Sequence, residues 1–349
     1  MFFASDNAGP VHPSVMDALA RGNTGYAVSY GADTVMDDVR TRLRDVFEAP
    51  DAAIYLVPTG TAANSLALAT LAEPWQTVFC SSVAHIHEDE CNAPEFYMGG
   101  AKLTLVGQSD KMSANELRAA VATEETRGVH GPQRGPVSIT QVTERGTLYS
   151  LDEIRALCDV AKDYALPVHL DGARFANALV ALGCTPAEMT WKAGVDAVSF
   201  GGTKNGLMGV EAVIFFDPAK AWEFELRRKR GAHLFSKHRY LSLQMQAYLT
   251  DDLWLTSARQ TNENAAYLVA GLRDIDGVTF VHEPQANMVF CAFSRAAHQR
   301  LHDAGAAYYV WSGSLEGEDP DEALEARLVC DWALERSQID AFLDILRTC

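Results

Sequence analysis

The stretch "SFGGTKNGLMGVEAVIFF", residues 199–216, places one lysine in a glycine-rich turn between two apolar runs. The runs "DAVSF" (196–200) and "AVIFF" (212–216) have the character of strands buried on both faces, which is typical of a parallel sheet covered by helices. Lys204 then lies at the end of a buried strand, where partial desolvation lowers the pKa of an amine and makes it a nucleophile. A solvated lysine in a surface turn is the alternative.

Strand-like runs alternate with helical stretches on the N-terminal side of this segment. The strand-like runs are "AAIYLV" (52–57), "QTVFC" (76–80), "KLTLV" (102–106), "PVSITQV" (136–142) and "PVHLD" (167–171). Between the last two, "SLDEIRALCDVAKDYA" (150–165) begins with a capping serine and repeats apolar residues at helical spacing. The alternation predicts an α/β fold with a mostly parallel sheet.

The pattern changes after about residue 217. "FELRRKRGAHLFSKHRYLSL" (224–243) predicts a basic helical stretch, and "VTFVHE", "NMVFCAF" and "EARLVCDW" predict strands further on. The chain has 349 residues, which exceeds the range in which a single core keeps growing. We therefore predict a large domain over 1–249 and a smaller C-terminal α+β domain over 250–349.

Composition excludes several classes of protein. The net charge is −17, from 46 acidic and 29 basic residues, which argues against binding to nucleic acid or to an anionic membrane. The seven cysteines form no Cys-x-x-Cys pair, so neither a disulfide framework nor a zinc site is indicated. No secretion signal or membrane-spanning run is visible, and a cytoplasmic protein with a small-molecule substrate is expected.

Polar residues follow the predicted strands at their carboxyl ends, where ligands gather in α/β sheets. In "PTGTAANS", Gly60 and Thr61 could offer backbone N–H groups and a hydroxyl to a phosphate, although an ordinary strand–helix turn is the alternative. In "PVHLDGARF", Asp171 could pair with a cationic ring nitrogen or cap a helix. Arg174 would stand beside it as a cation suited to a carboxylate or a phenolate.

The segment "HIHEDE" (85–90) is dense in possible metal ligands. Its spacing of two between histidines suits only neighbours on one face of a strand, and the acids would need the chain to curl. We therefore expect no metal site, but a single imidazole that packs on a ring while the acids are solvated or cap a helix.

Three of these features point to one ligand. Lys204 suits an aldehyde, Asp171 suits a protonated ring nitrogen, and the turn at Gly60 and Thr61 suits a phosphate. Pyridoxal phosphate carries all three groups, and a lysine Schiff base with an acid on the pyridinium nitrogen is its usual pairing.

Several stretches also resemble those of a known family. They are "FASDN" (3–7), "YGAD" (30–33), "GTAANSLAL" (60–68), "HIHEDECNAPEF" (85–96), "HLDGARFANA" (169–178), "CTPAEMTWKAGVDAVSFGGTKNG" (184–206) and "RLVCDW" (327–332). In this order they resemble the pyridoxal-phosphate threonine aldolases, and most closely the bacterial low-specificity L-threonine aldolase branch. The resemblance implies the aspartate-aminotransferase-like fold, also called fold type I.

The resemblance implies a role for each residue around the cofactor. Lys204 would hold pyridoxal phosphate as a Schiff base, Asp171 would bind its ring nitrogen, and His85 would stack on its ring. The phosphate would be held by Gly60, Thr61 and Thr203.

The resemblance also implies residues that bind the substrate. Arg174 would contact both the cofactor's ring oxygen and the substrate carboxylate, with Ser5 and Arg327 completing the carboxylate clamp. Tyr30 would lie near the substrate. His130 matches a family histidine near the substrate hydroxyl, and the base could be His130, His85 or a water held between them.

Members of the family assemble as homotetramers, dimers of dimers with sites at subunit interfaces. The basic segment around Lys229 resembles a part that reaches a neighbouring subunit's phosphate. The chain departs from much of the wider family directly after the lysine, where Asn205 replaces a glycine.

The expected reaction is retro-aldol cleavage of L-threonine or L-allo-threonine to glycine and an aldehyde, within amino-acid metabolism. Cleavage of a bulkier, phenylserine-like substrate, β-elimination and transamination are alternatives on the same fold. A metal-dependent hydrolase built on "HIHEDE" and a non-catalytic binding protein are the alternatives from other classes.

Overall fold

A computed structural model describes residues 1–348 and has a seven-stranded sheet at its centre. Its strands are β1 Ala53–Val57, β2 Gln76–Ser81, β3 Lys102–Val106, β4 Gln133–Thr140, β5 Val168–Gly172, β6 Ala197–Gly201 and β7 Glu211–Phe215. Their spatial order is β1-β7-β6-β5-β4-β2-β3. Only β7 runs against its neighbours, so the prediction of a mostly parallel sheet is confirmed.

Helices cover both faces of this sheet and also pack around the C-terminal part of the chain. They are α1 Pro13–Gly22, α2 Thr34–Val46, α3 Gly60–Leu71, α4 His85–Glu88, α5 Ala93–Tyr97, α6 Ala114–Thr123, α7 Leu151–Asp163, α8 Phe175–Leu182, α9 Pro186–Met189, α10 Ala221–Arg230, α11 Arg239–Leu249, α12 Leu253–Arg273, α13 Arg295–Asp303 and α14 Arg336–Arg347. The first helical turn of α7 is closed by a capping box between Ser150 and Glu153, as the sequence predicts.

The alternating side chains of β1 show that the sheet separates two hydrophobic clusters, one on each face. Tyr55 and Val57 pack with α3 and α10 on one face, whereas Ile54 and Leu56 join the larger core on the other. Strands with both faces buried need apolar residues throughout, which explains the unbroken apolar runs in the sequence.

Two predicted elements differ from the structure. The basic stretch 224–243 is not continuous, because α10 ends at Arg230 and α11 begins only at Arg239. Gly231 is the C-cap of α10, and a Cβ atom at this position would lie only 2.9 Å from the Tyr97 ring. Strand β4 begins three residues before Pro136, and its register with β2 shifts there, since proline has no N–H for the ladder.

A four-stranded antiparallel sheet forms from the C-terminal part of the chain. Its strands are β8 Thr279–Phe280, β9 Met288–Ser294, β10 Tyr309–Ser312 and β11 Ala323–Val329, in the order β10-β11-β9-β8. β10 was not foreseen in the sequence. The fold is therefore α/β with a small α+β part at its C-terminal end, as predicted.

The hydrophobic clusters cross residue 250 in both directions. Phe3 packs with Leu268, Phe293 and Phe342 around the small sheet, and Trp254 belongs to the large core. The boundary between residues 249 and 250 stays a prediction. Among the described residues, no helix is both long and apolar enough to cross a membrane.

Candidate active site

Four predicted site regions lie at the carboxyl edge of the large sheet. Asp171 is near the end of β5, and Lys204 lies in a 3₁₀ turn that follows β6. His85 begins α4 just beyond β2, and Gly60 begins α3 just beyond β1. Because parallel strands end at one edge, these segments converge although they are far apart in sequence.

Asp171 is buried and uses both carboxylate oxygens as acceptors. Oδ1 accepts from the Ala173 backbone N–H at 3.1 Å, and Oδ2 accepts from Asn64 Nδ2 at 2.9 Å. It does not cap a helix, since α8 begins with Arg174 at its N-cap and has no side-chain cap. The helix-cap alternative is therefore wrong.

Lys204 is partly buried, and its turn is tied to the surrounding core. The preceding Gly202 N–H donates to Glu211 at 2.7 Å. The following Asn205 donates through Nδ2 to the Tyr248 hydroxyl at 2.6 Å and to the Trp254 carbonyl at 2.8 Å. Asn205 thus anchors the lysine turn to α11 and α12, which gives its departure from the family's glycine a structural reason.

Arg174 is held by a residue to which the sequence analysis gave no role. Its Nε and Nη2 donate to Asp6 Oδ2 and Oδ1 at 2.7 and 2.9 Å, and both side chains are almost fully buried. Burial acts to raise the pKa of Asp6, but the charges of Arg174 and Lys204, together with hydrogen bonds from Arg174 and Asn287, outweigh it and hold that pKa below its usual range. Nη1 of Arg174 stays outside the pair, where it can meet another anion.

The segment around Asp6 also brings Ser5 and Arg327 to Arg174. Ser5 adjoins Asp6, and Arg327 Nη1 donates to the Ala4 carbonyl at 3.3 Å. Burial and the neighbouring Arg174 lower the pKa of Arg327. The three predicted carboxylate-binding residues therefore lie together in one chain.

The phosphate-binding prediction concerns the start of α3 and the lysine turn. The N-cap of α3 is Thr59, whose side chain accepts from the Ala62 N–H at 3.1 Å. A side chain added at Gly60 would meet nothing within 4 Å, so the helix start faces open space. Thr203 Oγ1 is buried beside Glu211, yet forms no well-aligned hydrogen bond.

The structure of segment 85–90 differs from the expectation drawn from its sequence. It opens with the short helix α4, so it is not a strand, and His87 and Glu88 are exposed whereas Glu90 is buried. Glu90 Oε1 lies 2.9 Å from His85 Nδ1, so this acid is neither solvated nor a helix cap. Within residues 1–348, no group of three His, Cys, Asp or Glu side chains has the arrangement of a metal site.

The structure does not bring Tyr30 and His130 into this cluster. The Tyr30 ring lies 4.9 Å from Lys229 Nζ, and its backbone N–H donates to Ser236. His130 is exposed in a 3₁₀ turn before β4, at the amino end of a strand whose carboxyl end faces the site. Within one chain, neither residue lies beside Lys204.

Three buried residues of the site were missed in the sequence. Asn64 and Asp6 lie inside family-like stretches but received no role, and Glu211 was hidden in the apolar run after the lysine. A charged residue inside a buried strand is rare, so the position of Glu211 in an apolar run could have identified it as a candidate site residue.

Asp6→Asn should destabilise the protein, because it leaves Arg174 as an uncompensated buried charge. We expect the free energy of unfolding to fall by about 3–5 kcal/mol at neutral pH, measured by chemical denaturation. Because the pKa of Asp6 is lowered in the folded state, its carboxylate stabilises the fold above the unfolded-state pKa, and this stabilisation is lost in acid. The difference in the free energy of unfolding between the variant and the native protein should therefore shrink in acid. Equal stability of both proteins at neutral pH would contradict this account of the pair.

Glu211→Gln should change how stability depends on pH. Burial raises the pKa of Glu211 to about 7, only partly offset by hydrogen bonds and the charge of Lys204. The folded state keeps this proton where the unfolded state has lost it, so the contribution of Glu211 falls as pH rises from about 4.5 to about 7. The melting temperature of the variant, relative to the native protein, should therefore rise between about pH 5 and about pH 8.

The exposed Glu73→Gln serves as the control for this titration. Its melting temperature should follow that of the native protein at every pH. A difference in melting temperature between Glu211→Gln and the native protein that stays constant across this pH range would contradict the raised pKa of Glu211.

The fold and the site together define an α/β protein with a lysine- and acid-bearing ligand site at the carboxyl edge of its sheet. A family model described as beta-eliminating lyase matches residues 3–296, and the chain belongs to that family.

Proteins of known name resemble the chain over almost its full length. It is 38% identical to a low specificity L-threonine aldolase of a Pseudomonas species over 338 residues, which cover 97% of this chain and 94% of that protein. It is 39% identical to the enzyme of the same name from Pseudomonas aeruginosa, over 95% of this chain and 92% of that protein. The structure of a Leishmania major threonine aldolase superimposes with a TM-score of 0.92 at 26% identity, covering 99% and 98% of the two chains.

Proposed function

We propose that this protein is a pyridoxal-phosphate-dependent aldolase that cleaves L-threonine and L-allo-threonine to glycine and acetaldehyde. The observation that carries the proposal is the convergence of Lys204, Asp171 and His85 at one edge of the sheet, beside the buried Arg174. The named relatives, which match along nearly the whole chain, support the same substrate.

The residues present fit pyridoxal phosphate. The open start of α3 at Gly60 and the Thr203 hydroxyl, which forms no well-aligned hydrogen bond, suit its phosphate, together with Thr61. Asp171 can accept a hydrogen bond from the ring nitrogen, and Lys204 can condense with the aldehyde. When bound, this cofactor supplies an electron sink for the bond that breaks at the substrate's Cα.

The chain's own residues orient the substrate and move its proton. Arg174, Arg327 and Ser5 bind the carboxylate and so decide which bond at Cα is aligned for cleavage. His85 takes the proton of the β-hydroxyl group. Asp171 accepts N–H hydrogen bonds at both of its oxygens, and these fix the position of its carboxylate for the ring nitrogen.

We further propose that the protein is cytoplasmic and forms a homotetramer, a dimer of dimers with sites at subunit interfaces. Tyr30 and His130 would then serve a neighbouring copy's site, and Lys229 would approach its phosphate. The loop before α2 supports this, since Tyr26 is fully exposed and Val28 is 64% exposed. Light scattering after gel filtration tests it: a monomer at assay concentration would contradict the assembly.

Product analysis tests the reaction. The purified protein, supplied with pyridoxal phosphate and L-threonine, should release glycine and acetaldehyde in equal amounts. Ammonia with a 2-keto acid would identify elimination instead, and a preference for phenylserine over threonine would identify the bulkier substrate class.

A further inference from the structure

A chain of buried polar side chains links the two ends of the candidate site. His85 Nδ1 lies 2.9 Å from Glu90 Oε1, and Asn64 Nδ2 donates to the same oxygen at 2.9 Å. The same Asn64 nitrogen donates to Asp171 Oδ2, again at 2.9 Å. Asn64 thus bridges Asp171, the acid expected to hold the ring nitrogen, and Glu90, the acid that contacts His85.

The bridge joins three separate parts of the fold. Asn64 lies in the first half of α3, Glu90 follows α4, and Asp171 is in β5. Asn64 is 2% exposed and Glu90 is 4% exposed, so water does not screen the contacts between them.

The arrangement is not explained by folding stability. Glu90 Oε2 and Asn64 Oδ1 are buried without a hydrogen-bond partner. An unsatisfied buried polar atom destabilises a protein by roughly 1–3 kcal/mol. A network that keeps two such atoms points to a role in function.

The hydrogen bond between Glu90 and His85 selects one form of the imidazole. An ionised carboxylate only accepts hydrogen bonds, so Nδ1 must carry the hydrogen that faces Glu90. In the neutral ring Nε2 is then without a hydrogen and acts as an acceptor. A buried acid orients the imidazole of serine hydrolases in the same way.

The charges that face His85 come from four directions. They are Glu90 from its own segment, Asp171 from β5, Glu144 from the turn after β4, and Lys204 from the turn after β6. Burial acts to lower the pKa of His85, but Glu90, Asp171 and Glu144 together raise it. Burial also raises the pKa of Glu90, against the hydrogen bonds from His85 and Asn64, which act to lower it.

We propose that Glu90 and Asn64 are positioning residues, which hold His85 with Nδ1 protonated toward Glu90 and Nε2 free to accept the substrate's β-hydroxyl proton. This inference rests on the proposed threonine cleavage. The hydroxyl proton moves to Nε2, the C–O bond becomes the aldehyde carbonyl, and the Cα–Cβ bond breaks. Cα takes up one proton to give glycine, which balances the proton held by His85.

The tautomer can be measured without turnover. In the cofactor-loaded protein labelled with ¹⁵N-histidine, the His85 signals are assigned by comparison with His85→Ala. Above its pKa, native His85 should show the Nδ1–H tautomer. An Nε2–H tautomer would overturn the proposal, whether or not the protein cleaves threonine.

Glu90→Gln tests the functional consequence, with the exposed Glu88→Gln on the same segment as its matched control. Loss of the carboxylate should lower the pKa of His85, so the acid limb of the kcat/KM profile should move to lower pH. At neutral pH kcat should fall about 10- to 100-fold, less than the ~10²–10⁴-fold of losing a general base. KM and the visible spectrum of the bound cofactor should change little.

Three further outcomes decide the proposal. In the His85→Ala background, Glu90→Gln should have no additional effect on kcat, because its action passes through the imidazole. An undiminished effect there, or a lower kcat with an unmoved pH profile, would make Glu90 a purely structural residue. If native protein turns over no threonine but His85 has the Nδ1–H tautomer, the proposed function fails while the positioning stands.

Discussion

Lys204→Ala is expected to abolish both the covalent attachment of pyridoxal phosphate and the cleavage of threonine. The lysine amine is the only group of the cluster that can condense with the cofactor's aldehyde, since Asp171, His85 and Arg174 lack a primary amine. Its turn is held by Gly202 and Asn205, whose bonds do not involve the lysine side chain. The fold should therefore survive the substitution.

The measurement compares visible absorbance and glycine release between the variant and Lys162→Ala, an exposed lysine on α7. The control should keep both properties of the native protein. The Lys204 variant should lose the visible band of the linked cofactor and all multiple turnover, while its melting temperature changes little. Normal multiple turnover by Lys204→Ala would remove this lysine from the chemistry.

Asp171→Asn is expected to have the second largest effect. Both oxygens of Asp171 accept hydrogen bonds, from Ala173 N–H and from Asn64. An amide at this position directs its NH₂ group at one of these donors, and it carries no charge to hold a protonated ring nitrogen. Turnover should fall by roughly 10²–10³-fold, the usual effect of removing one well-placed electrostatic group.

The cofactor should also bind more weakly to Asp171→Asn, which a titration with pyridoxal phosphate measures. Asp159→Asn, an exposed acid on α7, is the matched control and should behave as the native protein. If Asp171→Asn keeps native turnover and native cofactor affinity, the ring nitrogen does not depend on this acid.

The sequence was most informative where a buried strand ends in a polar residue. Strands β5 and β6 could be predicted from apolar runs, and their ends identified Asp171 and Lys204 as neighbours. Parallel pairing fixes that neighbourhood, because consecutive strands of such a sheet place their carboxyl ends side by side.

The partners of these residues could not be predicted in the same way. Glu90 was expected to be solvated or to cap a helix, but the end of α4 at Glu88 brings it back to His85, where the two side chains lie 2.9 Å apart. Asp6 meets Arg174 across 168 positions of sequence, a distance over which no periodic pattern carries information.

Tyr30 and His130 illustrate a different limit. The structure of a single chain leaves both outside the cluster, at exposed positions of loops. The roles proposed for them require a particular arrangement of copies in an assembly, which neither hydrophobic periodicity nor the fold of one chain determines.

The most direct test of the account is borohydride reduction of the cofactor-loaded protein, followed by peptide mass mapping. The account predicts that the reduced pyridoxal phosphate group is found on the peptide containing Lys204, and that reduction stops the release of glycine and acetaldehyde. Label on another lysine, or continued threonine cleavage by fully reduced protein, would contradict it.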